Sequence, residues 1–283
     1  LKTCKFMALT RILISVKTYP TLSATYDELV CTAGFKEDGS WVRIYPVPYR
    51  KLKYADRYEK WQWIEMDIVR NTKDFRKESY RPTDLDKEII IGKTVPTTKN
   101  WALRKEIALK NVYTDMSVLI EEAKDKNIGT SLAVLKPKKV IDFIWESCER
   151  EWNKKKLDAI IAKQAQGSLF DTEETKRIFK VAKKLPYKFS YVFTTEDDKE
   201  RTMMVEDWEL GALYWNCLKN ANDNEELACQ KVREKYFDYM VNKCDLHFFL
   251  GTTQKFHNVG PNPFIIIGVF YPLKEDATQL SLF

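Results

Sequence analysis

No run of apolar residues in this 283-residue chain approaches the roughly 20 needed to cross a bilayer as a helix, so no membrane partner is expected. The stretch KTCKFMALTRILISVKTYP has a short apolar patch but no small-residue cleavage site, which argues against a signal peptide. Met7 reads as a natural start, with Leu1 to Phe6 as an extension before it. The six cysteines (Cys4, Cys31, Cys148, Cys217, Cys229 and Cys244) are scattered and form no Cys-x-x-Cys pair. A chain this long can build a core without disulfide staples, so reduced thiols in a cytoplasm are expected. Cys244-x-x-His247 lacks the second pair that a zinc site needs. The sequence also lacks a Walker loop, a Gly-x-Gly-x-x-Gly, a Gly-x-Ser-x-Gly, any internal repeat and any low-complexity block. His247 and His257 are its only histidines.

The composition is globular, with 44% apolar and 31% charged residues and a raised aromatic share of 13%. The net charge of +6 is uneven. Residues 1–180 carry 35 Lys and Arg against 26 Asp and Glu, and residues 181–283 carry 12 against 15. A basic excess on one part of a chain suggests a polyanion partner there, although a solvated surface accounts for it as well.

Short β-branched runs dominate the first hundred residues. Residues 11–20 read as a strand, and 28–35 with 41–49 read as a hairpin about Asp38-Gly39. Residues 61–70 alternate as a fourth strand and 88–92 make a fifth, which suggests a small barrel or curled sheet. From Trp101 the period becomes helical over 101–112 and 116–126, with a break at Asn127-Ile128-Gly129. A strand over 138–147 and a helix over 149–166 follow. Residues 187–195 and 201–207 flank the acidic turn Glu196-Asp197-Asp198 as a second hairpin; helices over 208–220 and 224–243 and strands over 246–252 and 263–271 complete the pattern. The expected class is α+β, with a β-rich, barrel-like nucleic-acid-binding module over 1–100 and a mainly helical section over 101–184. An α+β active-site module over 185–273, built on one antiparallel sheet with helices, would precede a closing segment over 274–283.

That closing segment carries Gln279-Leu280-Ser281-Leu282-Phe283 just after the charges Lys274, Glu275 and Asp276. It resembles the peptide by which bacterial DNA polymerases and repair factors bind the replicative sliding clamp, Gln-Leu-Ser/Asp-Leu-Phe, at every position. The resemblance implies that Gln279 makes polar contacts at a pocket rim while Leu282 and Phe283 fill an apolar pocket. An extended peptide loses little on ordering five residues, and each large side chain buried contributes about 1.5–3 kcal/mol. The other reading packs Leu282 and Phe283 on the last strand. Gln166-Gly167-Ser168-Leu169-Phe170 is similar, with Gly in place of the first Leu. Asp171 and Glu174 after it also spell a capping box, in which Leu169 and Phe170 would only anchor a helix start.

Residues 45–63 interleave Arg50, Lys51, Lys53, Arg57 and Lys60 with Tyr45, Tyr49, Tyr54, Tyr58, Trp61 and Trp63. Such a mixture grips nucleic acid, with cations on phosphates and rings on bases, unless the rings belong to the core. Lys136, Lys138 and Lys139, then Lys154 to Lys156, add phosphate candidates. His257 and Lys255 sit in a polar loop, 251–263, where either could move a proton. His247, between apolar neighbours, reads as a core histidine. Glu206, Asp207 and Glu209 form a carboxylate cluster at a strand-to-helix junction that suits a divalent metal, or simply a helix N-terminus capped by Asp207.

These signals lead to a DNA-associated cytoplasmic protein recruited to the bacterial sliding clamp, in DNA repair or phage defence. An enzyme proper would be a hydrolase: a base-excision glycosylase, needing no metal, or a nuclease holding Mg²⁺ at 206–209. A non-catalytic regulator of the clamp is a further reading. The expected catalytic residues are Glu206, Asp207, Glu209 and His257, brought together where loop 251–263 meets the junction. The expected DNA contacts are Arg50, Lys51, Lys53, Tyr54, Arg57, Trp61 and Lys255. The expected clamp contacts are Gln279, Leu280, Leu282 and Phe283, with no metal or cofactor outside the nuclease case.

Overall fold

In the computed structural model, which describes residues 9–23, 27–167 and 181–275, Asp38 and Gly39 make the turn that the sequence predicts. Gly39 takes φ of 85°, open to glycine at little cost, and Asp38 Oδ1 accepts from the Ser40 amide at 2.8 Å. The turn joins β3 (Asp27–Lys36) to β4 (Trp41–Val47). With β1 (Thr10–Lys17), β2 (Thr21–Ser23), β5 (Gln62–Met66), β6 (Ile68–Arg70), β7 (Ser79–Pro82) and β8 (Ile90–Thr94) they form one sheet. Its order is β6-β7-β4-β3-β1-β5-β8, with β2 added on β3.

Residues 61–70, read as one strand, break at Asp67. The Asp67 carboxylate takes Lys87 at 2.5 Å and its carbonyl accepts from the Thr83 amide at 3.0 Å. Consecutive β5 and β6 thereby reach nearly opposite ends of the strand order, which curls the sheet into a half-barrel. Ile12, Ile14, Val42, Ile44, Tyr58 and Ile64 fill its inside.

The remainder contains α1 (Thr98–Ala108), β9 (Val112–Tyr113), α2 (Met116–Lys124), β10 (Leu132–Leu135), β11 (Lys139–Ser147) and α3 (Lys154–Gly167). After the next described stretch begins at 181 come β12 (Tyr187–Thr194), β13 (Arg201–Met204), α4 (Trp208–Asn220) and α5 (Glu225–Arg233). A π-helical segment (Glu234–Tyr239) runs into α6 (Met240–Lys243), and β14 (His247–Thr252) and β15 (Phe264–Phe270) follow. The chain is α+β, with a curled N-terminal sheet, helices in the middle and later parts, and C-terminal sheet structure.

Two details correct the expected layout. The C-terminal strands make two sheets, β11-β12-β13 and β15-β14-β10-β9, joined by a parallel bridge between Val205 and Ile266. Also, the mainly helical section 101–184 contributes strands to both of these sheets. Its β10, with all four residues buried, pairs with β14, and its β11 pairs with β12. The clamp-like residues 279–283 lie outside the described residues. In the second motif, Gln166 and Gly167 close α3 while 168–170 fall outside.

The half-barrel and the C-terminal sheets share a core. Leu13, Val16, Ala33 and Phe35 on the outer face of the half-barrel pack with Leu132, Val134, Phe249, Ile267 and Phe270. Phe249 is fully buried there, with its ring 5.7 Å from Trp41, 6.1 Å from Trp61 and 6.0 Å from Phe270. Polar contacts close the same seam. Arg43 donates to the Ser131 hydroxyl at 2.8 Å and carbonyl at 3.0 Å, and Ser131 donates to Glu78 at 2.8 Å. Asn100 lies in a left-handed turn at the start of α1, where φ is 49–63° over residues 99–101, a conformation unfavourable for L-residues. Its side chain compensates by bonding both the carbonyl and the amide of Leu273, at 2.9 and 2.8 Å.

A shared core predicts one cooperative unfolding transition for the whole chain. Phe249→Ala should lower its stability by about 3–5 kcal/mol, read as a shifted denaturant midpoint with a single transition retained. Two separate transitions in the wild type would mean that the parts fold independently.

Candidate functional site

Of the three carboxylates of the 206–209 junction, two meet one ammonium and the third turns away. Asp207 caps α4, accepting from the Glu209 amide at 3.0 Å, and takes Lys60 Nζ at 2.7 and 2.9 Å through its two oxygens. Glu209 reaches the same ammonium at 3.2 Å. Burial pushes Lys60 down, but the attraction of Asp207 and Glu209 outweighs it and holds the amine above its usual 10.5. Lys60 and Asp207 therefore form a buried strut between the half-barrel and α4. Beside them, burial and the neighbouring Lys60 bring the Lys17 amine down to about 8, with Tyr49 and Trp208 rings at 4.6 and 5.5 Å.

Glu206 faces elsewhere. Its amide donates to the Ile266 carbonyl at 2.8 Å, while its side chain makes no hydrogen bond among the described residues and lines a cleft of about 420 Å³. Burial without a partner raises its carboxyl above the ordinary 4.5. The cleft lies between the β1–β2 connection and the β11–β12–β13 sheet, with Tyr19, Trp152, Tyr187 and Phe189 in its wall.

Each ring is held. Tyr19 lies on Gly211 of α4, where an added Cβ would come 2.2 Å from the ring, so only glycine admits this approach. The Tyr19 hydroxyl donates to the Lys183 carbonyl and accepts from Trp215 Nε1, both at 2.8 Å. Trp152 Nε1 donates to the Ala182 carbonyl at 2.7 Å. Tyr187 donates to Glu225 at 2.8 Å, and Arg150, bonded to the same carboxylate, holds Glu225 down at about 2.

Two further clefts adjoin this one. The first, about 240 Å³, shares Tyr19 and Pro20 with it and adds Arg50, Lys183, Trp208 and Trp215. The second, about 610 Å³, shares Lys183 and Trp215 and continues to Lys219. Lys183 and Lys184 sit over the rings of Trp215 and Trp152 at 5.2 and 6.0 Å.

The other expected site residues are placed apart. His257 is 2% exposed, bonded through Nδ1 to Thr252 Oγ1 at 2.8 Å and packed on Phe75, and burial with Arg76 nearby lowers its pKa. It sits near the start of β15, whereas Asp207 lies beside Gly268 late in that strand, so His257 and Asp207 stand by different ends of it. His247 is buried against Phe270, as its apolar neighbours suggest. In the basic stretch, Arg50 pairs with Glu28 at 2.6 Å, Lys51 with Asp27 at 2.5 Å, and Arg57 donates to the carbonyls of Leu52 and Arg50. Trp61 is 6% exposed within the shared core and has no face open for stacking. Tyr54, 89% exposed, and Lys53 remain open to solvent, and Lys255 lies over Phe256 in the distant loop.

Residues 112–283 match the model of a domain of unknown function, DUF8757, and residues 8–110 match that of a second, DUF8758. The chain belongs to the DUF8757 family. No curated protein matches it. The DUF8757 region supplies Trp152, Tyr187, Phe189 and Glu206 to the first cleft, and the DUF8758 region supplies Tyr19, so the cleft needs both. Among the described residues, no three His, Cys, Asp or Glu side chains gather as a metal site, and no helix is long and apolar enough to cross a membrane.

The sequence reading selected Glu206 but missed the rings around it. Tyr19 and Trp152 carry a weak signal, being single aromatics in short connecting stretches, TYPT and EREWN. Only tertiary contact joins them.

Glu206 has a pH signature. An acid whose pKa is higher in the fold than in the unfolded chain stabilises the fold below its unfolded value and loses that contribution as pH rises through the folded one. Glu206→Gln removes this loss. Variant and wild type should have equal denaturant midpoints near about pH 4, and the variant should become the more stable as pH rises above about 4.5. A gap that stays constant with pH would contradict the desolvated acid.

Proposed function

We propose that the protein is DNA-associated, recruited to the bacterial sliding clamp, and that it binds or processes DNA in repair or phage defence. One observation carries the DNA part: three adjoining clefts, two of them at the seam of the two family regions, alternate cations with aromatic faces, through Trp152, Lys184, Tyr19, Lys183, Trp215 and Lys219. Cations track a phosphate backbone while rings stack on unpaired bases, so a single strand or an unpaired segment is the form of DNA such a groove suits. Recruitment rests on Gln279, Leu280, Leu282 and Phe283. The chain is fastened up to Glu275, through Asn100 to Leu273 and Lys105 to Glu275 at 2.7 Å, so that the motif starts four residues beyond an anchored point.

Within this reading, metal-free base excision is favoured over the nuclease. Asp207 already bonds Lys60 and caps α4, whereas Glu206 is an acid with no hydrogen-bond partner among the described residues, set in an aromatic cleft where a proton carrier for excision would stand.

The test is fluorescence anisotropy of a labelled single-stranded oligonucleotide across a salt series, with and without a purified bacterial clamp. Lys183→Gln with Lys219→Gln should weaken binding and flatten the log–log salt slope by about 0.7 for each phosphate no longer neutralised. Leu282→Ala with Phe283→Ala should leave DNA affinity unchanged and abolish clamp capture. No salt-dependent DNA binding would end the DNA reading, and clamp capture by the double variant would end the recruitment reading.

A further inference from the structure

Glu206 and the rings around it form a built site that the groove alone does not require. The cleft volume of about 420 Å³ falls in the range of about 300–1,000 Å³ typical of small-molecule sites. Its wall presents Tyr19, Trp152, Tyr187 and Phe189, each fixed by a hydrogen bond or by strand pairing. The polar ends of Tyr19, Trp152 and Tyr187 are all engaged, on Lys183, Ala182 and Glu225, so these side chains offer the cleft their rings rather than hydrogen-bonding groups. Into this apolar space opens one carboxyl with no protein partner among the described residues. A flat, aromatic ligand with a hydrogen-bonding edge satisfies both features, and a nucleobase has that form.

We propose that the cleft receives a single unstacked nucleobase against Tyr19, Trp152 and Tyr187, with the Glu206 carboxyl hydrogen-bonding its edge, that of adenine or cytosine when the carboxyl carries its proton and that of guanine when it is ionised. The selection follows from donor and acceptor counting. A neutral carboxyl offers one O–H donor beside one carbonyl acceptor. That pair complements the amidine edge of adenine or cytosine, where a ring nitrogen accepts beside an amino group that donates. An ionised carboxyl offers acceptors alone and suits the paired N–H donors of guanine. Burial raises the carboxyl above its ordinary range, so the protonated form persists to higher pH than in an exposed glutamate. The other charged groups at the cleft, Glu149, Lys184 and Lys188, are tied to one another or to Glu146, with Lys184 at 3.3 Å from Glu149 and Lys188 at 2.7 Å from Glu146. Cys31 feels the Glu206 charge, and burial raises its thiol, so it adds no charge of its own.

The inference uses the DNA reading only for the source of the base, and the experiment separates the two. Free adenosine, cytidine, guanosine and uridine are titrated into the full chain at millimolar concentration, followed by saturation-transfer NMR and tryptophan fluorescence. Adenosine or cytidine should bind best at the acidic end of the pH range, and that preference should fade as pH rises. Glu206→Ala should lose the preference. Glu206→Gln, whose amide also pairs a donor with an acceptor, should keep it with little pH dependence. Trp152→Leu, which preserves bulk without a π face, should weaken binding by about tenfold. Nucleoside binding without oligonucleotide binding would uphold the site and remove the DNA reading. Oligonucleotide binding with no nucleoside signal, or a preference unchanged in Glu206→Ala, would overturn the site.

Discussion

The contact on which the molecule depends is the packing of Phe249 and Phe270 against the outer face of the half-barrel. Their rings meet Trp61 at 6.1 and 5.2 Å, and Trp61 in turn lies under the Arg104 guanidinium at 5.0 Å. A curled sheet with apolar side chains on both faces cannot stand alone in water, because the outer face would stay exposed. The C-terminal sheet covers it. This constraint fixes β15 against β1 and fixes where β13 meets β15 at the bridge of Val205 to Ile266. Glu206, one residue later, owes its place in the cleft wall to that chain of contacts.

The same constraint explains why the site draws on both family regions. Tyr19 follows the end of β1, and Gly211 lets its ring lie directly on α4. Trp215, one helical turn further, locks the Tyr19 hydroxyl. Lys60 and Asp207 tie the half-barrel to the start of α4 by an ion pair with side chains only 6% and 0% exposed. Losing one partner of such a pair strands a buried charge, which costs about 3–5 kcal/mol. The strut thus keeps α4, and with it the Tyr19 wall, in register with Glu206.

Much of the fold was legible because it follows local rules. The Asp38-Gly39 turn, the start of the alternation read over 61–70 and the N-cap Asp207 need no information beyond neighbouring residues. β10 was not legible: Leu-Ala-Val-Leu is four residues without a period, and only its pairing with β14 makes it a central strand. The basic stretch misled because composition does not report pairing, and Glu28 and Asp27, some twenty residues upstream, take Arg50 and Lys51. His257 drew attention as a histidine in a polar loop, yet Thr252 and Phe75 enclose it. Glu206 was named for its carboxylate neighbours, but its chemistry comes from being turned away from them.

The most direct test of the groove is photocrosslinking of an oligonucleotide carrying halogenated bases to the full chain, with attachment sites mapped by mass spectrometry. Bases stacked on rings crosslink to those rings, so the account predicts adducts at Tyr19, Trp152, Tyr187 or Trp215, suppressed by competing unlabelled single strand. Adducts confined to Tyr54 and its neighbours, or to the loop at 253–263, would contradict it.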